Sequence, residues 1–333
     1  MTRQARFLIL RGGAIGDFIL TLPALRAIRT RWPDAWIEVI GYPHVANLAL
    51  AAGLVNRVDS LDRAGIARFF SASPDFPPEQ VAYIRSFDFI LSYLHDPAGM
   101  VRENLLLAGA RQVLYGSPIV ERGHAIEHLM KPLESLALYA DNDSPVLDLP
   151  GEHRENGRGW VQAQGLREPV MAVHPGSGSP KKNWPADRFV ELARRAARGY
   201  GLSYFYILGE ADREIVGGLE RMDPGRAALK DSKLTEVAGV LSAFRVYVGN
   251  DSGITHVAAA IGVPTVALFG PSDETRWGPR GPHVRVLRAP GGDLNTLPVD
   301  LVLSAISDLL AGNCSSGALS PEKTSADGAA ELQ

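Results

Sequence analysis

Residues 6–29 read RFLILRGGAIGDFILTLPALRAIR, an apolar run followed by a glycine-rich turn and then by apolar positions at helical spacing. Glycine lets the backbone turn tightly, so this stretch predicts a strand, a tight loop and a helix. The same order recurs along the chain: a short run rich in β-branched residues, a turn marked by Gly or Pro, and an amphipathic segment. This alternation predicts βαβ units and parallel sheets.

The sequence predicts eleven strands in two series. The first series comprises residues 6–10, 36–42, 57–61, 88–94 and 112–116, and the second comprises residues 170–174, 203–209, 227–230, 245–249, 265–270 and 284–287. A single (β/α)₈ barrel would need eight regular units without a break, whereas these series are interrupted. We therefore expect an α/β protein with two Rossmann-like domains.

The interruption lies at residues 141–159, which read DNDSPVLDLPGEHRENGRG. This segment is polar, contains two prolines and shows neither the helical nor the strand period. We place the boundary here, with a first domain at 1–150 and a second at 151–311, and we expect the segment to act as a hinge. Residues 312–333 are rich in Ser, Gly and Ala and contain no aromatic residue, so we expect a disordered tail.

Composition excludes several classes of protein. The chain has 333 residues, 34 Lys and Arg against 37 Asp and Glu, and one cysteine, Cys314. The near-neutral balance argues against nucleic-acid binding, and a single cysteine cannot form an internal disulfide. No run approaches the ~20 apolar residues of a membrane span, and the N-terminus lacks a secretion-signal pattern. We expect a cytoplasmic protein whose membrane contact is peripheral.

The first glycine-rich turn leads to Asp17. It is not the dinucleotide fingerprint, because Arg11 stands where the first glycine is needed, and no Gly-Lys-Ser/Thr follows as in a Walker A loop. Asp17 has two interpretations that the sequence leaves open. A carboxylate in a first helical turn caps free amides, and a carboxylate at the carboxyl edge of a sheet can act as a general base.

Three loops of the second half end at the same edge of its predicted sheet. Residues 174–185 read HPGSGSPKKNWP and combine small residues with two lysines, which favours an anion site over an ordinary solvated loop. Residues 249–256 read GNDSGITH and open a helix, where Asp251 and Ser252 either cap amides or face a pyrophosphate, with His256 one turn along. Residues 269–279 read FGPSDETRWGP and follow the next strand.

These motifs together resemble glycosyltransferase family 9, the ADP-heptose:lipopolysaccharide heptosyltransferases. The resemblance is carried by Gly16-Asp17 before Leu-Pro-Ala-Leu, by His174-Pro-Gly-Ser-Gly before Lys182-Asn-Trp-Pro, and by Asn250-Asp-Ser-Gly before His256-Val-Ala-Ala-Ala. The run Val263-Pro-Thr-Val-Ala-Leu-Phe-Gly-Pro-Ser-Asp with Arg276-Trp-Gly-Pro strengthens it. The motifs occur in order across residues 6–290 and are specific as a set.

The resemblance implies a GT-B fold, in which the first domain holds the acceptor and the second holds the sugar nucleotide. It implies an inverting transferase that needs neither metal nor cofactor, with an ADP-sugar donor and a glycolipid or glycan acceptor. Asp17 is the implied base and Lys182 the residue that neutralises the leaving diphosphate. The implied binding residues are Gly13, Gly16, Ser177, Gly178, Glu210, Asp251, Ser252, Gly253 and His256. We also expect a monomer in peripheral contact with the inner membrane.

Some features depart from this reading. Residues 12–15, Gly-Gly-Ala-Ile, differ from the usual family pattern before Gly-Asp. Acidic residues stand at positions 210, 212 and 214, where the family contacts the nucleoside, and we favour Glu210 for the contact with the ribose. A sugar-nucleotide epimerase and a non-catalytic nucleotide-sugar binding protein remain as alternatives.

Two further features of the sequence each have a functional and a non-functional interpretation. Residues 124–128, His-Ala-Ile-Glu-His, match a zinc-peptidase pattern that we interpret as coincidental. Trp184 and Trp277 lie in the site loops, where each could flank a ligand or pack in the core.

Overall fold

The computed structural model describes residues 4–62, 64–139, 144–209 and 212–312, and it contains all eleven predicted strands. Their ends lie within two residues of the predicted ones, because each apolar run is covered by helices on both faces of a parallel sheet. The strands are β1 (Arg6–Leu10), β2 (Trp36–Gly41), β3 (Arg57–Ser60), β4 (Phe89–Ser92), β5 (Val113–Tyr115), β6 (Val170–His174), β7 (Ser203–Leu208), β8 (Ala228–Lys230), β9 (Val246–Asn250), β10 (Thr265–Phe269) and β11 (Val284–Arg288).

The strands form two parallel sheets, one in each half of the chain. The first has the order β3-β2-β1-β4-β5 and the second has the order β11-β10-β9-β6-β7-β8. In the first sheet, Phe7 of β1 pairs with Ile37 on one side and Phe89 on the other. Both orders are of the Rossmann type, which confirms the predicted α/β class. In such sheets ligands bind outside the carboxyl ends, where the strand order reverses, here beside β1 and β6.

Helices cover both sheets. They are α1 (Ile15–Ile19), α2 (Leu22–Arg31), α3 (Pro43–Ala51), α4 (Ala64–Ala67), α5 (Pro78–Arg85), α6 (Met100–Leu107), α7 (Ala125–Met130), α8 (Gly151–Ala163), α9 (Ala186–Tyr200), α10 (Arg213–Met222), α11 (Leu234–Leu241), α12 (Gly253–Ala260), α13 (Glu274–Trp277) and α14 (Val299–Leu310). Within the described ranges, none of them has the length and apolar character needed to cross a membrane.

The two halves share a hydrophobic core. One cluster of buried side chains joins Ile9 and Val39 of the first sheet to Val237 and Val257 of the second half. Helices α1 and α12 pack against each other, as do α3 and α11. Beside this core, the backbone amide of Leu147 donates a hydrogen bond to the carbonyl of Ala260, 2.8 Å away. The carboxyl ends of both sheets are therefore held around one common space.

The helical pattern after the first strand is divided into α1 and α2. Helix α1 ends at Ile19, and α2 begins at Leu22 with Pro23 in its first turn. Between them, the Thr21 hydroxyl donates to the Asp17 carbonyl at 2.9 Å, which satisfies a carbonyl at the end of the short helix. The apolar spacing continues across this break and does not reveal it. Pro23 marks the start of the second helix, because proline fits a first helical turn and not a helix interior.

The expectation of an irregular segment over residues 141–159 is wrong for its second half. Residues 151–159 belong to α8, whereas 144–150 are extended or irregular and 140–143 lie outside the described residues. Helix α8 packs on α11 mainly through Gly157 and Val161, so its buried stripe is too narrow and too glycine-rich to show a helical period. Most of the predicted tail also lies outside the described residues, which end at Gly312.

The close approach of α8 and α11 predicts a specific effect of an added methyl group. A Cβ at Gly157 would lie 2.0 Å from the Gly239 carbonyl oxygen, whereas a Cβ at Gly159, on the same helix, would meet no atom within 4 Å. Gly157→Ala should therefore lower the free energy of unfolding by about 1–3 kcal/mol through overpacking. Gly159→Ala should raise it by ~0.5–1 kcal/mol, since alanine favours helix. Urea denaturation measures both, and equal effects of the two changes would contradict this packing.

Candidate active site

The carboxyl ends of both sheets open on a cleft of about 960 Å³. The first wall is formed by residues 14–17 after β1, together with Leu20 and His44. The second wall is formed by the loops that follow β6, β7, β8, β9 and β10. The cleft thus lies where the strand order of each sheet reverses, which is the expected ligand position for open α/β sheets.

Arg11 fixes the first wall from below. Its Nε donates to the Thr21 hydroxyl at 3.0 Å and its Nη2 donates to the Asp17 carbonyl at 2.8 Å. The guanidinium also lies over the Tyr93 ring, with 5.7 Å between the charge centre and the ring centroid. Burial lowers the pKa of Arg11, while Asp17 and Tyr93 act in the opposite direction. Because arginine stays charged in proteins, it holds the backbone of Asp17 in place.

Asp17 caps α1 and also lines the cleft. Its Oδ2 accepts a hydrogen bond from the amide of Ala14 at 2.9 Å, which caps α1, and its carboxylate lines the cleft. Within the described residues the cap occupies Oδ2, so Oδ1 is the oxygen that remains for a ligand. Gly13 permits this turn, because its φ is +100° and a Cβ there would lie 2.9 Å from Asp17 Oδ2. Gly13 itself is not part of the cleft lining.

The loop after β6 is held by buried side chains of the second sheet. Asn250 of β9 donates through Nδ2 to the Pro175 carbonyl at 2.8 Å and accepts from the amide of Trp184 at 2.9 Å. Ser177 accepts from the amide of Ser179 at 3.2 Å, so its hydroxyl serves the loop, although it also lines the cleft. Gly178 lines the cleft beside it, with open space around its α-carbon.

Lys182 and Asp251 form an ion pair in the second wall. The Lys182 ammonium lies 2.8 Å from Asp251 Oδ2, and 9% of the Asp251 side chain is exposed against 38% of that of Lys182. An ammonium has three donors, so the contact with Asp251 leaves donors for an anion in the cleft. The pairing fixes where this positive charge lies. The structure thus brings together two residues that the sequence motifs place 69 positions apart.

Helix α12 begins beside this pair. Ser252 caps the helix, since its hydroxyl accepts from the amide of Thr255 at 3.3 Å, and the capping interpretation holds for this residue. Asp251 is bound to Lys182 and does not cap the helix. Ser252 and Gly253 both line the cleft, so the first amides of an eight-residue helix lie at its floor.

Gly16 and Gly253 lie where the two walls meet. A Cβ at Gly253 would lie 2.4 Å from Ile15 Cβ, and a Cβ at Gly16 would lie 3.1 Å from His256 Cδ2. Both glycines line the cleft, yet the closest atoms around them belong to the opposite domain. Their absent side chains therefore let α1 and α12 touch.

His256 is a neutral residue between the walls. It is 4% exposed, and burial lowers its pKa to about 4, with Asp251 acting in the opposite direction. Its Nδ1 is buried without a hydrogen-bond partner among the described residues. A neutral imidazole at this position avoids placing an uncompensated charge between the domains.

The acidic residues after β7 are separated by the structure. Glu210, our choice for the ribose, lies outside the described residues. Asp212 is buried in the cleft, where its Oδ2 accepts from the amide of Gly209 at 2.7 Å while its Oδ1 has no partner among the described residues. Glu214 is exposed and does not line the cleft. Of the two described acids, only Asp212 thus lines the cleft.

Several lining residues were not identified from the sequence. An apolar pocket lies at the ends of β7 and β8 and continues into α11, and Lys233 borders it; it is formed by Ile207, Leu208, Leu229, Leu234 and Val237. Only their position in the sequence could have identified them, because they lie near the carboxyl ends of β7 and β8 or in the first turns of α11. Their side chains resemble ordinary core residues, so composition could not distinguish them.

The two tryptophans of the site loops lie in different environments. Trp184 is buried in the core, where its Nε1 donates to the Leu297 carbonyl at 3.0 Å, whereas Trp277 lines the cleft.

His128 of the zinc-peptidase pattern is bonded to the Ser117 carbonyl at 2.8 Å. In the ranges that the structure covers, no three His, Cys, Asp or Glu side chains are grouped as metal ligands.

Comparison with known sequences identifies a family. The profile described as "Glycosyltransferase family 9 (heptosyltransferase)" matches residues 102–297. Lipopolysaccharide heptosyltransferase 3 of Escherichia coli (strain K12) is 21% identical over 290 residues, covering 79% of this chain and 82% of the relative. Lipopolysaccharide heptosyltransferase 1 of Escherichia coli O18:K1:H7 (strain RS218 / NMEC) is 23% identical over 336 residues, covering 91% and 97%.

Comparison with solved structures shows the same fold. The glycosyltransferase family 9 protein from Veillonella parvula DSM 2008 aligns with a TM-score of 0.76 at 22% identity, over 92% of this chain and 97% of that one. Escherichia coli ADP-heptose lps heptosyltransferase II aligns with a TM-score of 0.69 at 20% identity, over 92% and 99%. Two Rossmann-like domains around a shared cleft are thus common to all three chains, which confirms the predicted GT-B fold.

The contact between the walls predicts a strong effect of one methyl group at Gly253. Gly253→Ala would force Ile15 away and should lower the free energy of unfolding by about 1–3 kcal/mol. Gly199→Ala, in α9, meets no atom within 4 Å and is the matched control. Combined with Ile15→Gly, which removes the opposing Cβ, Gly253→Ala should cost less than it does alone. Urea denaturation measures these effects, and a Gly253→Ala protein as stable as the control would contradict the contact.

Proposed function

The chain belongs to glycosyltransferase family 9, and from this we propose that it transfers a heptose from an ADP-sugar to lipopolysaccharide, with inversion at the anomeric carbon. The observation that carries the proposal is the position of Asp17 and the Lys182–Asp251 pair on opposite walls of one cleft. Family membership makes the chain a glycosyltransferase, so an epimerase and a non-catalytic binding protein are no longer favoured.

Asp17 is the proposed general base. Its carboxylate would accept the proton of an acceptor hydroxyl as that oxygen bonds to the anomeric carbon. Attack from the first wall, with departure toward the second, places the new bond opposite the broken one and inverts the configuration. The hydrogen bond from Arg11 to the Asp17 carbonyl supports this role, because a base must be held in position before the substrate arrives.

Lys182 and the start of α12 are proposed to stabilise the leaving ADP. Negative charge develops on the diphosphate as the glycosidic bond breaks, through a transition state with oxocarbenium character. The Lys182 ammonium and the amides at Ser252 and Gly253 would supply the compensating positive charge. We propose that these groups take the part that a metal ion plays in other transferases, and that no cofactor is required.

The second domain is the proposed donor site and the first the proposed acceptor site. The apolar pocket at the ends of β7 and β8 suits a flat base, with Asp212 at its edge and Glu210 nearby in the sequence to meet the ribose. Ser177, Gly178 and His256 would complete the phosphate and sugar contacts. We propose that the reaction takes place at the cytoplasmic face of the inner membrane, where a nucleotide sugar and a lipid-linked acceptor would meet, and that the enzyme is a monomer in peripheral contact with that membrane.

Removal of the carboxylate charge tests the base. Asp17→Asn retains an oxygen that can cap Ala14, so the fold should be unchanged, while kcat should fall on the order of 10²- to 10⁴-fold. ADP affinity should remain, since the change is on the first wall. Glu79→Gln, an exposed acid in the first turn of α5, is the matched control and should transfer normally. Full turnover by Asp17→Asn would show that another group takes the proton.

A comparison of nucleotide sugars tests the donor. We expect an ADP-sugar to raise the melting temperature more than a UDP- or GDP-sugar at the same concentration, because only a ligand that binds the folded state tightly shifts unfolding. The measurement is a thermal shift assay with the three donors. Equal shifts would rule out the assignment of an ADP-sugar and would leave the transferase assignment standing.

A further inference from the structure

The pattern His124-Ala-Ile-Glu127-His128, which resembles a zinc site, lies at a contact between the two domains. His124 is 4% exposed and stands at the start of α7, in the first domain. Its Nδ1 accepts a hydrogen bond from the amide of Ile126 at 3.2 Å, and its Nε2 lies 2.9 Å from the carbonyl oxygen of Gly278, in the second domain. A single side chain thus caps a helix in one domain and binds the backbone of the other.

The two contacts define the protonation of the His124 ring. A nitrogen that accepts a hydrogen bond carries no proton, so Nδ1 is bare and the proton lies on Nε2. Nε2 therefore donates to the Gly278 carbonyl. Leaving the buried Gly278 carbonyl without a donor would cost free energy, so this hydrogen bond stabilises the contact between the two domains.

Gly278 immediately follows a residue of the cleft wall. It ends α13, where its amide donates to the Glu274 carbonyl at 2.8 Å, and it directly follows Trp277. Trp277 lines the cleft, as does Asp273, which caps the start of the same short helix. A four-residue helix has little stability of its own, so outside contacts decide its position.

Two more contacts tie the same segments together. Arg276 donates through Nη1 to the Val120 carbonyl at 3.1 Å, and Glu127 lies 3.0 Å from the Arg280 guanidinium. Residues 120–127 of the first domain thus contact both ends of the segment 276–280 in the second domain. We propose that His124 is a positioning residue that holds the Trp277 side of the cleft, so that the donor wall is completed only when the first domain is docked.

This inference rests on the proposed function for its consequence, because it assigns the affected wall to the nucleotide-sugar site. The positioning itself does not depend on the reaction. Asparagine separates the two tasks of His124, since it caps helices well but is too short to reach the Gly278 carbonyl. His124→Asn should therefore keep α7 and release α13.

Amide hydrogen exchange of the full chain tests the positioning. In His124→Asn, the amides of residues 273–280 should exchange about tenfold faster, on the order of one lost hydrogen bond, while those of α7 stay protected. His128→Asn, on the same helix but bonded to Ser117 of its own domain, is the matched control and should leave residues 273–280 unchanged. Faster exchange in α7 instead would indicate a capping role alone and would overturn the proposal.

Calorimetric titration with ADP tests the consequence. The dissociation constant for ADP should rise about tenfold in His124→Asn and stay unchanged in His128→Asn. Faster exchange with unchanged ADP affinity would show that His124 holds α13 and would overturn the proposal that this completes the donor wall. If ADP fails to bind the unaltered protein, the proposed donor is wrong, and the exchange measurement still decides whether His124 holds α13. Should His124→Asn fail to fold, Arg280→Met removes a contact from the other side and should speed exchange of the same segment more weakly, since that pair is partly exposed.

Discussion

The first turns of α1 and α12 pack directly against each other, and the cleft owes its shape to this contact. Ile15 and Gly16 meet Gly253 and His256 at distances that leave no room for another methyl group at Gly253. Helix α1 follows β1, the central strand of the first sheet, and α12 follows β9, one of the two central strands of the second. Their contact therefore fixes the position of both sheets. Asp17 directly follows Gly16 on one side of the contact, and Asp251, paired with Lys182, precedes Gly253 by two residues on the other.

Charges in the cleft are fixed by pairing and by burial. Arg11 holds the Asp17 carbonyl from below, and Asp251 holds Lys182 from the side. His256 stays neutral between them because burial lowers its pKa to about 4. The first wall thus presents the Asp17 carboxylate and the second the Lys182 ammonium beside the carboxylate of Asp251, while His256 between them carries no charge. A reaction that removes a proton on one side and stabilises an anion on the other suits this separation.

Strands were predictable from the sequence because buried parallel strands are continuous apolar runs with turn residues at their ends. Helix α8 was not, since its buried face is largely Gly157, which contributes no apolar signal. The motifs located Asp17, Lys182 and Asp251, but they could not show that Gly253 faces Ile15, because the opposing atoms belong to the other domain. The same limit applies to His124, whose partner Gly278 lies 154 residues away. What remained hidden was contact across the domains.

A crystal structure of the protein soaked with a non-hydrolysable ADP-sugar tests the central claim most directly. The account predicts that the diphosphate lies within hydrogen-bond distance of the Lys182 ammonium and the amides at the start of α12, with the anomeric carbon facing the Asp17 carboxylate. A donor bound elsewhere, or bound in the cleft with its anomeric carbon turned away from Asp17, would contradict the account of one site built from two walls.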